Sequence, residues 1–291
     1  MRSRTLFVFL TIAIMIFSSV LLAFLAYSYI GKLLEPGLKV YFFDVDQGDA
    51  ILIRTPDHKD ILVDCGHFDY AEDLIYFLKS LGVREIHTFI ATHPDPDHIG
   101  AVPELFAEFN VLVVYHSGFV KTTQTYYDFI DSLQKEGCAV YDRDDFGPGE
   151  ILPISSKVRF KVLSVDPLAQ DSNDASIVLK VSYGNFDMIL EGDASWKKES
   201  YMIHHYGNEL DIEVLKVSHH GSISASSYEW LEATTPDVAV ICVGPNDYGL
   251  PNPIILDRLQ RNCNSVLITD EEGCIMISSD GNNYEICSIN L

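Results

Sequence analysis

Basic residues are scarce in this chain of 291 residues. The 20 lysines and arginines stand against 42 aspartates and glutamates, which gives a formal net charge of −22. A surface with such an excess of negative charge repels polyanions at long range. Tight and sequence-independent binding to duplex nucleic acid is therefore not expected.

The sequence also lacks the cysteine spacing of common metal and redox motifs, since its six cysteines form no C-x-x-C pair. Cys263 and Cys274 are the nearest candidates for a disulfide outside the cell, and buried free thiols are the alternative that the spacing leaves open. After about residue 37 there is no low-complexity stretch, linker or short tandem repeat. Residues 37–291 are therefore predicted to form one domain with a substantial core.

A long run without charge stands near the N-terminus. Arg2 and Arg4 precede an uncharged and largely apolar stretch from Thr5 to Ile30, which is long enough to span a bilayer as a helix. Arginines before such a span favour a cytoplasmic N-terminus. The segment "LLAFLAYS" offers a poor cleavage site, so residues 1–36 are predicted to be an uncleaved signal anchor with a short linker. The globular part would then lie outside the cytoplasmic membrane, or be secreted if cleavage occurs.

Strand and helix patterns alternate through the rest of the chain. Strands are predicted over 39–55, 59–66, 85–93 and 110–117, and helices over 71–82, 101–109 and 124–137. From Ala139 onward strands dominate, with helices near 226–234 and 252–262. This order, in which strand hairpins are followed by alternating strands and helices, occurs twice. It predicts an α/β fold of αββα type, with two sheets face to face and helices outside.

The segment "FIATHPDPDHIGA" collects histidines and aspartates where an apolar strand ends. His93 and Asp95 alternate and are suited to one metal ion, whereas Asp97 and His98 are suited to a second ion nearby. The alternative is an Asp/Pro-rich turn with a helix-capping aspartate and surface histidines.

Two later apolar runs end in the same residue types. "MILEGDA" leads to Asp193, and "EVLKVSHHGS" leads to His219 and His220. Strand ends in open α/β layouts face a crevice where ligands bind. Three strand ends with ligand-type residues favour a metal site over capping.

Six segments in this order resemble the metallo-β-lactamase superfamily and, within it, the C-terminal extracytoplasmic domain of the ComEC competence-protein family. They are "FFDVDQGDAILI", "ILVDCG", "ATHPDPDHIGA", "SNDASIVLKVSYGNFDMILEGDA", "LKVSHHGSISAS" and "DYGLPNP". The resemblance runs from about Lys39 to Ile286 and implies the αββα sandwich that the strand and helix pattern also predicts.

The resemblance implies a role for each matching residue. It implies metal ligands at His93, Asp95, Asp97, His98 and His220, with Asp193 bridging two ions. Asp97, His219 and His220 become the candidate catalytic residues, one histidine serving as a ligand or as the acid for the leaving oxygen. The remaining matches would support the metal loop or border the site: Asp64, Gln47, Asp49, Asn173 and Ser176.

The chain departs from the family pattern at two positions. Asp46 replaces the glycine of "DVGQGD", and Leu250 stands where "YGHP" has a histidine, beside the matching Tyr248 and Pro251. Since leucine cannot coordinate a metal, one tight and one weak ion site are expected. The alternative is that Leu250 packs beside Pro251 and the site is complete without it. The other histidines match no motif and are interpreted as surface or packed residues: His58, His67, His87, His116, His204 and His205.

The function implied by the resemblance is metal-dependent hydrolysis with one or two zinc or manganese ions. The substrate expected first is a phosphodiester in DNA, as in ComEC-type DNA uptake. A cell-envelope phosphodiester, in teichoic acid or its phosphorylcholine, fits the acidic body better than duplex DNA does. β-Lactam hydrolysis is a weaker third, because Asp95 stands where lactamases have a second histidine. The last alternative is a degenerate, noncatalytic domain that binds a ligand or assembles with a separate membrane channel.

Overall fold

Two β-sheets facing each other form the centre of the structure, a computed structural model that describes residues 37–166 and 168–289. The first sheet has the strand order β17-β16-β1-β2-β3-β5-β7-β8, the second β15-β14-β13-β12-β11-β10-β9, and β4 pairs with β6. In chain order the strands are β1 (Leu38–Phe42), β2 (Ala50–Arg54), β3 (Asp60–Cys65), β4 (Glu85–Ile86), β5 (Thr88–Ala91), β6 (Asn110–Val111), β7 (Val113–His116), β8 (Ala139–Tyr141), β9 (Ile151–Leu152), β10 (Arg159–Ser164), β11 (Val178–Tyr183), β12 (Phe186–Leu190), β13 (Val214–Lys216), β14 (Val238–Ile241), β15 (Ser265–Ile268), β16 (Cys274–Ser279) and β17 (Tyr284–Ile289).

Helices cover the outer face of each sheet. They are α1 (Ala71–Ser80), α2 (Pro96–Ile99), α3 (Val102–Glu108), α4 (Gln124–Glu136), α5 (Trp196–Tyr206), α6 (Tyr228–Thr234), α7 (Pro253–Asn262) and α8 (Thr269–Glu272). Helix α4 shows how the sequence sets such bounds. The Thr123 side chain accepts from the Tyr126 backbone N–H at the start, and Gly137 ends the helix in the left-handed conformation with φ of 69°.

Alternation along the strands divides the apolar residues among three layers of core. In β1, Val40 and Phe42 belong to the cluster between the sheets, whereas Tyr41 packs in the cluster under the first sheet's helices. A third cluster lies under the helices of the second sheet and contains Trp230 and Leu259. Successive strand residues point to opposite faces, so each strand contributes to two layers. The predicted αββα arrangement is confirmed.

The structure contains three helices that the sequence-based expectations did not include, α5 and the short α2 and α8. Helix α5 lies in a region expected to be mostly strand, because the inward face of "WKKESYMIHHY" carries Glu199 and only a short apolar stripe of Met202, Ile203 and Tyr206. The six cysteines, all within the described residues, are free thiols, so the suggested Cys263–Cys274 pair does not form. The predicted anchor over residues 1–36 lies outside the described residues. Among those that are described, no helix is both long and apolar enough to cross a membrane.

Parallel strand pairs bring the chemically active segments to one end of the sandwich. Strands β3 and β5 run parallel in the first sheet, and β12 and β13 run parallel in the second. Asp64 lies near the end of β3, and the other active segments directly follow β5, β12 and β13. Carboxyl ends of neighbouring parallel strands share one edge of a sheet. The two edges face the same crevice.

Candidate metal centre

The metal loop changes from extended to helical backbone at Pro96. Asp95 is extended, with φ of −86° and ψ of 150°, and it makes no side-chain cap hydrogen bond to helix α2. Its carboxylate instead pairs with Lys121, at 2.5 Å from Oδ1 to Nζ. Asp97 and His98 lie within the helix. Asp95 therefore occupies the N-cap position, but its side chain does not cap the helix.

Asp64 fixes the orientation of His98 from below the loop. Its Oδ2 lies 2.8 Å from His98 Nδ1, and since a carboxylate accepts, the ring nitrogen donates. The Thr92 backbone N–H and hydroxyl also donate to Asp64, at 2.8 Å and 2.6 Å. The Asp64 carboxylate is fully buried and has a left-handed φ of 55°. Such an outer carboxylate turns the opposite nitrogen of an imidazole toward a metal.

Two more histidines are held through Nδ1 in the same way. His220 Nδ1 donates to the Cys242 carbonyl at 2.7 Å. His93 Nδ1 lies 3.1 Å from Thr92 Oγ1 and 3.3 Å from Ser176 Oγ. These contacts leave Nε2 of each ring directed away from its hydrogen-bond partner, where the neutral imidazole can bind a metal. Ser176 is thus placed behind His93, and its hydroxyl also accepts from the backbone N–H of Asp193 at 3.2 Å.

The free nitrogens converge on one carboxylate. His93 Nε2 is 3.7 Å from Asp193 Oδ2, His98 Nε2 is 3.3 Å from Asp193 Oδ1, and His220 Nε2 is 3.8 Å from Asp193 Oδ2. These three nitrogens and Asp193 Oδ1 are buried and make no hydrogen bond of ordinary geometry. Buried polar atoms are nearly always satisfied, and unpaired ones facing each other are the donor set of a metal site.

Two ligand groups share His98. One is His93, His98 and Asp193, and the other is Asp97, His98 and His220, with ligand atoms within 4.8 Å of one another in each. A third group on the buried side contains Asp49, Asp64 and His98. Imidazole and carboxylate donors suit zinc, iron or manganese. The residues present therefore fit a centre of one or two divalent ions. Asp95 belongs to none of these groups: its Oδ1 lies 3.9 Å from His93 Nε2 and pairs with Lys121.

Burial and neighbouring charge set the protonation of this cluster. Burial, reinforced by the nearby His98 charge, lowers the pKa of His93 to about 4, so its imidazole is neutral as a metal ligand must be. Burial alone would raise the pKa of Asp193, but His98 and His220 hold it well below its usual range. Asp193 therefore stays an anion in the interior, where a divalent ion can bind it.

A buried ion pair that sequence reasoning missed lies beside the centre. Lys216 at the end of β13 is fully buried, pairs with Asp49 and donates to the Gly192 carbonyl at 3.2 Å. Burial lowers the pKa of Lys216, but Asp49 outweighs this effect and raises it, so the lysine stays charged. Asp49 Oδ1 is also 3.6 Å from His220 Nδ1. The only signal in the sequence was a lysine inside the apolar run before "HHGS".

Strained backbone surrounds the same atoms. His219 and His220 have φ of 49° and 52°, a conformation that costs a non-glycine residue free energy and is found most often at functional sites. A tight hairpin also contacts the metal loop. The Asp49 N–H donates to the Asp97 carbonyl at 3.1 Å, and a Cβ on Gly48 would lie 2.5 Å from that oxygen. Gly48 is therefore required for this approach.

The centre opens into a cavity of about 720 Å³. His219 lines it, with Nε2 3.8 Å from Asp193 Oδ2 and Nδ1 3.2 Å from Ser224 Oγ and 3.4 Å from Asn173 Nδ2. Leu250 forms part of the wall, and its carbonyl accepts from Asn246 at 2.8 Å. The other predicted site residues that line it are Gln47, Asp95, Asp97, Asn173, Asp193 and His220, and His67, which matches no motif, lines it as well.

Comparison with known proteins agrees with this geometry. The family model described as the metallo-beta-lactamase superfamily matches residues 43–244. The chain is 30% identical over 257 residues to "ComE operon protein 3" of Bacillus subtilis and 27% identical over 238 residues to "Competence protein ComA" of Neisseria gonorrhoeae. Each match covers 81% of this chain but only 32% and 31% of the relative, so the chain spans about a third of their length. The resemblance to the ComEC competence proteins is confirmed.

Solved structures show the same fold at low identity. The metallo-beta-lactamase fold protein YhfI of Bacillus subtilis has a TM-score of 0.53 at 13% identity, covering 84% of this chain and all of that one. CmlA, a diiron beta-hydroxylase from Streptomyces venezuelae, has a TM-score of 0.51 at 10% identity, covering 87% of this chain and 54% of its own. These likenesses concern the fold.

Proposed function

The chain belongs to the metallo-beta-lactamase superfamily, and on this premise we propose that it is a metal-dependent phosphodiesterase of ComEC type that acts on DNA outside the cytoplasmic membrane. The observation that carries the proposal is the set of buried, unpaired Nε2 atoms around Asp193. Each of these nitrogens is held by a hydrogen bond on the far side of its ring. Such preorganisation is what a catalytic metal site needs.

The residues divide the work between ion binding and proton transfer. His98 has a single free nitrogen and would bind one ion only, so Asp97, His98 and His220 would hold one divalent ion and His93 would hold the second, with Asp193 available to both. Bound ions supply an activated water and polarise the phosphoryl oxygen. Asp95 would join this set if its carboxylate left Lys121 for an ion.

His219 is suited to the proton transfer. It borders the cavity with its side chain partly exposed, unlike the buried His220. Its Nδ1 is within hydrogen-bond distance of Ser224 Oγ, which leaves Nε2 directed toward Asp193 and the cavity. A histidine in this position can protonate the leaving oxygen of a cleaved diester. Asn173, 3.4 Å from the same ring, holds its orientation.

A cell-envelope phosphodiester is the second candidate substrate. It is favoured by one observation: among the described residues that line the main cavity there is no lysine or arginine, while five are aspartates. Walls of this charge do not attract a polyanion, and they tolerate a substrate with a cationic substituent such as choline. The metal centre would be the same for either substrate.

Assays with three substrates distinguish these proposals. The full chain, loaded with manganese or zinc, should hydrolyse bis(p-nitrophenyl) phosphate and single-stranded DNA. Hydrolysis of the small diester and of a teichoic acid, with DNA intact, would favour the envelope substrate. Purified protein that binds no metal and cleaves none of the three would show a noncatalytic binding domain.

Membrane attachment through residues 5–30 is part of the proposal. The uncharged run behind two arginines supports it, and the competence proteins that this chain resembles suggest a separate channel as its partner. N-terminal sequencing of protein from the native host tests it. A mature N-terminus after this segment would mean a secreted enzyme.

A further inference from the structure

A second cavity lies beside the main one at the metal centre. It has a volume of about 270 Å³ and shares Asn173, Asp193 and His219 with the main cavity. The two cavities therefore meet at the centre itself. A substrate that extends in two directions from the scissile bond can occupy both, whereas a small diester fills only part of one.

Each cavity carries one strongly exposed aromatic side chain. Tyr248 lines the main cavity and is 80% exposed, and Trp196 lines the second cavity and is 54% exposed. The other tryptophan, Trp230, is fully buried in the core. Single exposed aromatic residues are common on protein surfaces. What distinguishes Trp196 and Tyr248 is that each lines a cavity beside the candidate metal centre.

The backbone holds Trp196 in place. It is the first residue of helix α5, and its N–H donates to the Ser224 carbonyl at 2.9 Å. Ser195 caps the helix by accepting from the Lys197 N–H at 3.3 Å. The indole is thus attached to a fixed helix start, next to the Ser224 that contacts His219.

We propose that Trp196 and Tyr248 are stacking platforms for bases on the two sides of the scissile phosphodiester in a single-stranded nucleic acid. This inference rests on the proposed phosphodiesterase function. Stacking on an aromatic ring needs an unpaired base, which a duplex does not offer. An unsubstituted glycerol phosphate polymer has no π-face to stack, whereas a choline substituent would contact an aromatic ring through a cation–π interaction. Rings at both cavities, on the two sides of the centre, favour a strand with a base on each side.

The charges of the two cavities agree with stacking as the main source of affinity. Lys197 is the one lysine or arginine among the described residues that line either cavity, and its Nζ lies 3.8 Å from Asp174 Oδ2. Few phosphate contacts mean few released counterions. With one contact, raising NaCl from about 50 to about 200 mM should weaken strand binding by about threefold or less.

Intrinsic fluorescence tests the platform without requiring catalysis. The full chain in detergent with EDTA is titrated with a thymidine hexanucleotide. Stacking should quench the emission of Trp196 and leave that of buried Trp230. Trp196→Phe should abolish the quenching and retain binding of a labelled hexanucleotide. Trp196→Ala should weaken binding by about tenfold, equivalent to about 1.4 kcal/mol.

Kinetics with metal-loaded protein give the second readout. In Trp196→Ala the ratio of kcat/KM for the hexanucleotide to kcat/KM for bis(p-nitrophenyl) phosphate should fall about tenfold. Tyr76→Ala is the matched control, because Tyr76 is 64% exposed on helix α1 and lines neither cavity. The Tyr76→Ala variant should leave kcat/KM unchanged for the hexanucleotide and for the small diester.

The outcomes separate this inference from the proposed function. Hydrolysis of the small diester without quenching, and with an unchanged ratio in Trp196→Ala, would overturn the platform and retain the enzyme. Quenching without hydrolysis of any diester would refute the proposed phosphodiesterase and leave a strand-binding groove. Displacement of the hexanucleotide by a glycerol phosphate polymer that binds more tightly would assign the groove to an envelope substrate and overturn the inference.

Discussion

Replacing Lys216 by methionine tests how the buried charges beside the metal centre are balanced. The lysine is fully buried and Asp49 is 1% exposed, so water cannot replace either partner when the other is removed. Methionine keeps most of the side-chain volume and removes the charge. The variant therefore leaves the Asp49 carboxylate as an uncompensated buried anion and the Gly192 carbonyl without its lysine donor.

The expected cost is large for one substitution. Removing one partner of a buried ion pair destabilises a protein by about 3 to 5 kcal/mol, because the remaining charge stays desolvated. Domains of this size lose about 2 to 4 °C of Tm per kcal/mol, so a fall of roughly 6 to 20 °C is expected. Asp49→Asn combined with Lys216→Met should cost less than the sum of the single changes, with a coupling of about 2 to 3 kcal/mol.

Urea unfolding followed by tryptophan fluorescence measures the free energies of unfolding. EDTA is present, so that bound metal makes no contribution. Lys79→Met is the control, since Lys79 pairs with Glu108 on the surface and its loss should cost under about 1 kcal/mol. Two results would refute the idea that each charge of the Lys216–Asp49 pair depends on its partner. One is a Lys216→Met variant whose free energy of unfolding is within about 1 kcal/mol of the native value, and the other is strictly additive effects of the two substitutions.

Four further variants test the centre and its surroundings. Asp97→Ala should lower turnover by more than about tenfold, a barrier increase above about 1.4 kcal/mol, while circular dichroism stays unchanged; retained turnover would remove Asp97 from the ligands. Asp64→Asn should weaken metal binding by about 10- to 100-fold in a competition titration, because His98 loses its orienting carboxylate. Leu250→His should raise metal stoichiometry and lower the metal concentration for half-maximal rate, whereas unchanged stoichiometry with two ions already bound would show a complete site. Glu199→Ala should cost about 2 to 5 kcal/mol in urea unfolding, because two backbone N–H groups at the start of helix α6 lose their acceptor; exposed Glu229→Ala is its control.

The sequence was sufficient for the fold and for the types of residue at the centre. Alternating apolar runs predict strands such as β1, and the apolar residues at helical spacing in "AEDLIYFLKSLG" predict α1, whose buried residues include Leu74 and Leu78. Histidines and aspartates after three strands predict a metal-binding edge, and the structure brings Asp193 to His93 and His220 there. These features depend on local periodicity and strand ends, which a sequence displays directly.

Features that depend on contacts between distant segments were not predictable in the same way. In the sequence, Lys216 is an ordinary residue of a predicted strand. The fold places it against Asp49, which precedes β2 of the other sheet. Helix α5 was missed because its inward face carries Glu199, whose carboxylate is satisfied by the N–H groups of Ser226 and Ser227. A buried polar residue with a tertiary partner interrupts the apolar periodicity by which a helix is predicted.

The grouping of the candidate ligands depends on backbone conformation that the spacing of residues does not reveal. Alternation along an extended chain would pair His93 with Asp95, but Pro96 begins a helix, since a proline at the first helical position needs no N–H partner. The turn to helix places His98 where it belongs to both ligand groups and leaves Asp95 beside Lys121. From the other sheet, the left-handed backbone of His219 and His220 directs one imidazole to the cavity and the other into the buried centre. Residue types thus indicate that a metal can bind, whereas two local changes of backbone conformation determine which side chains lie together in each candidate ligand group.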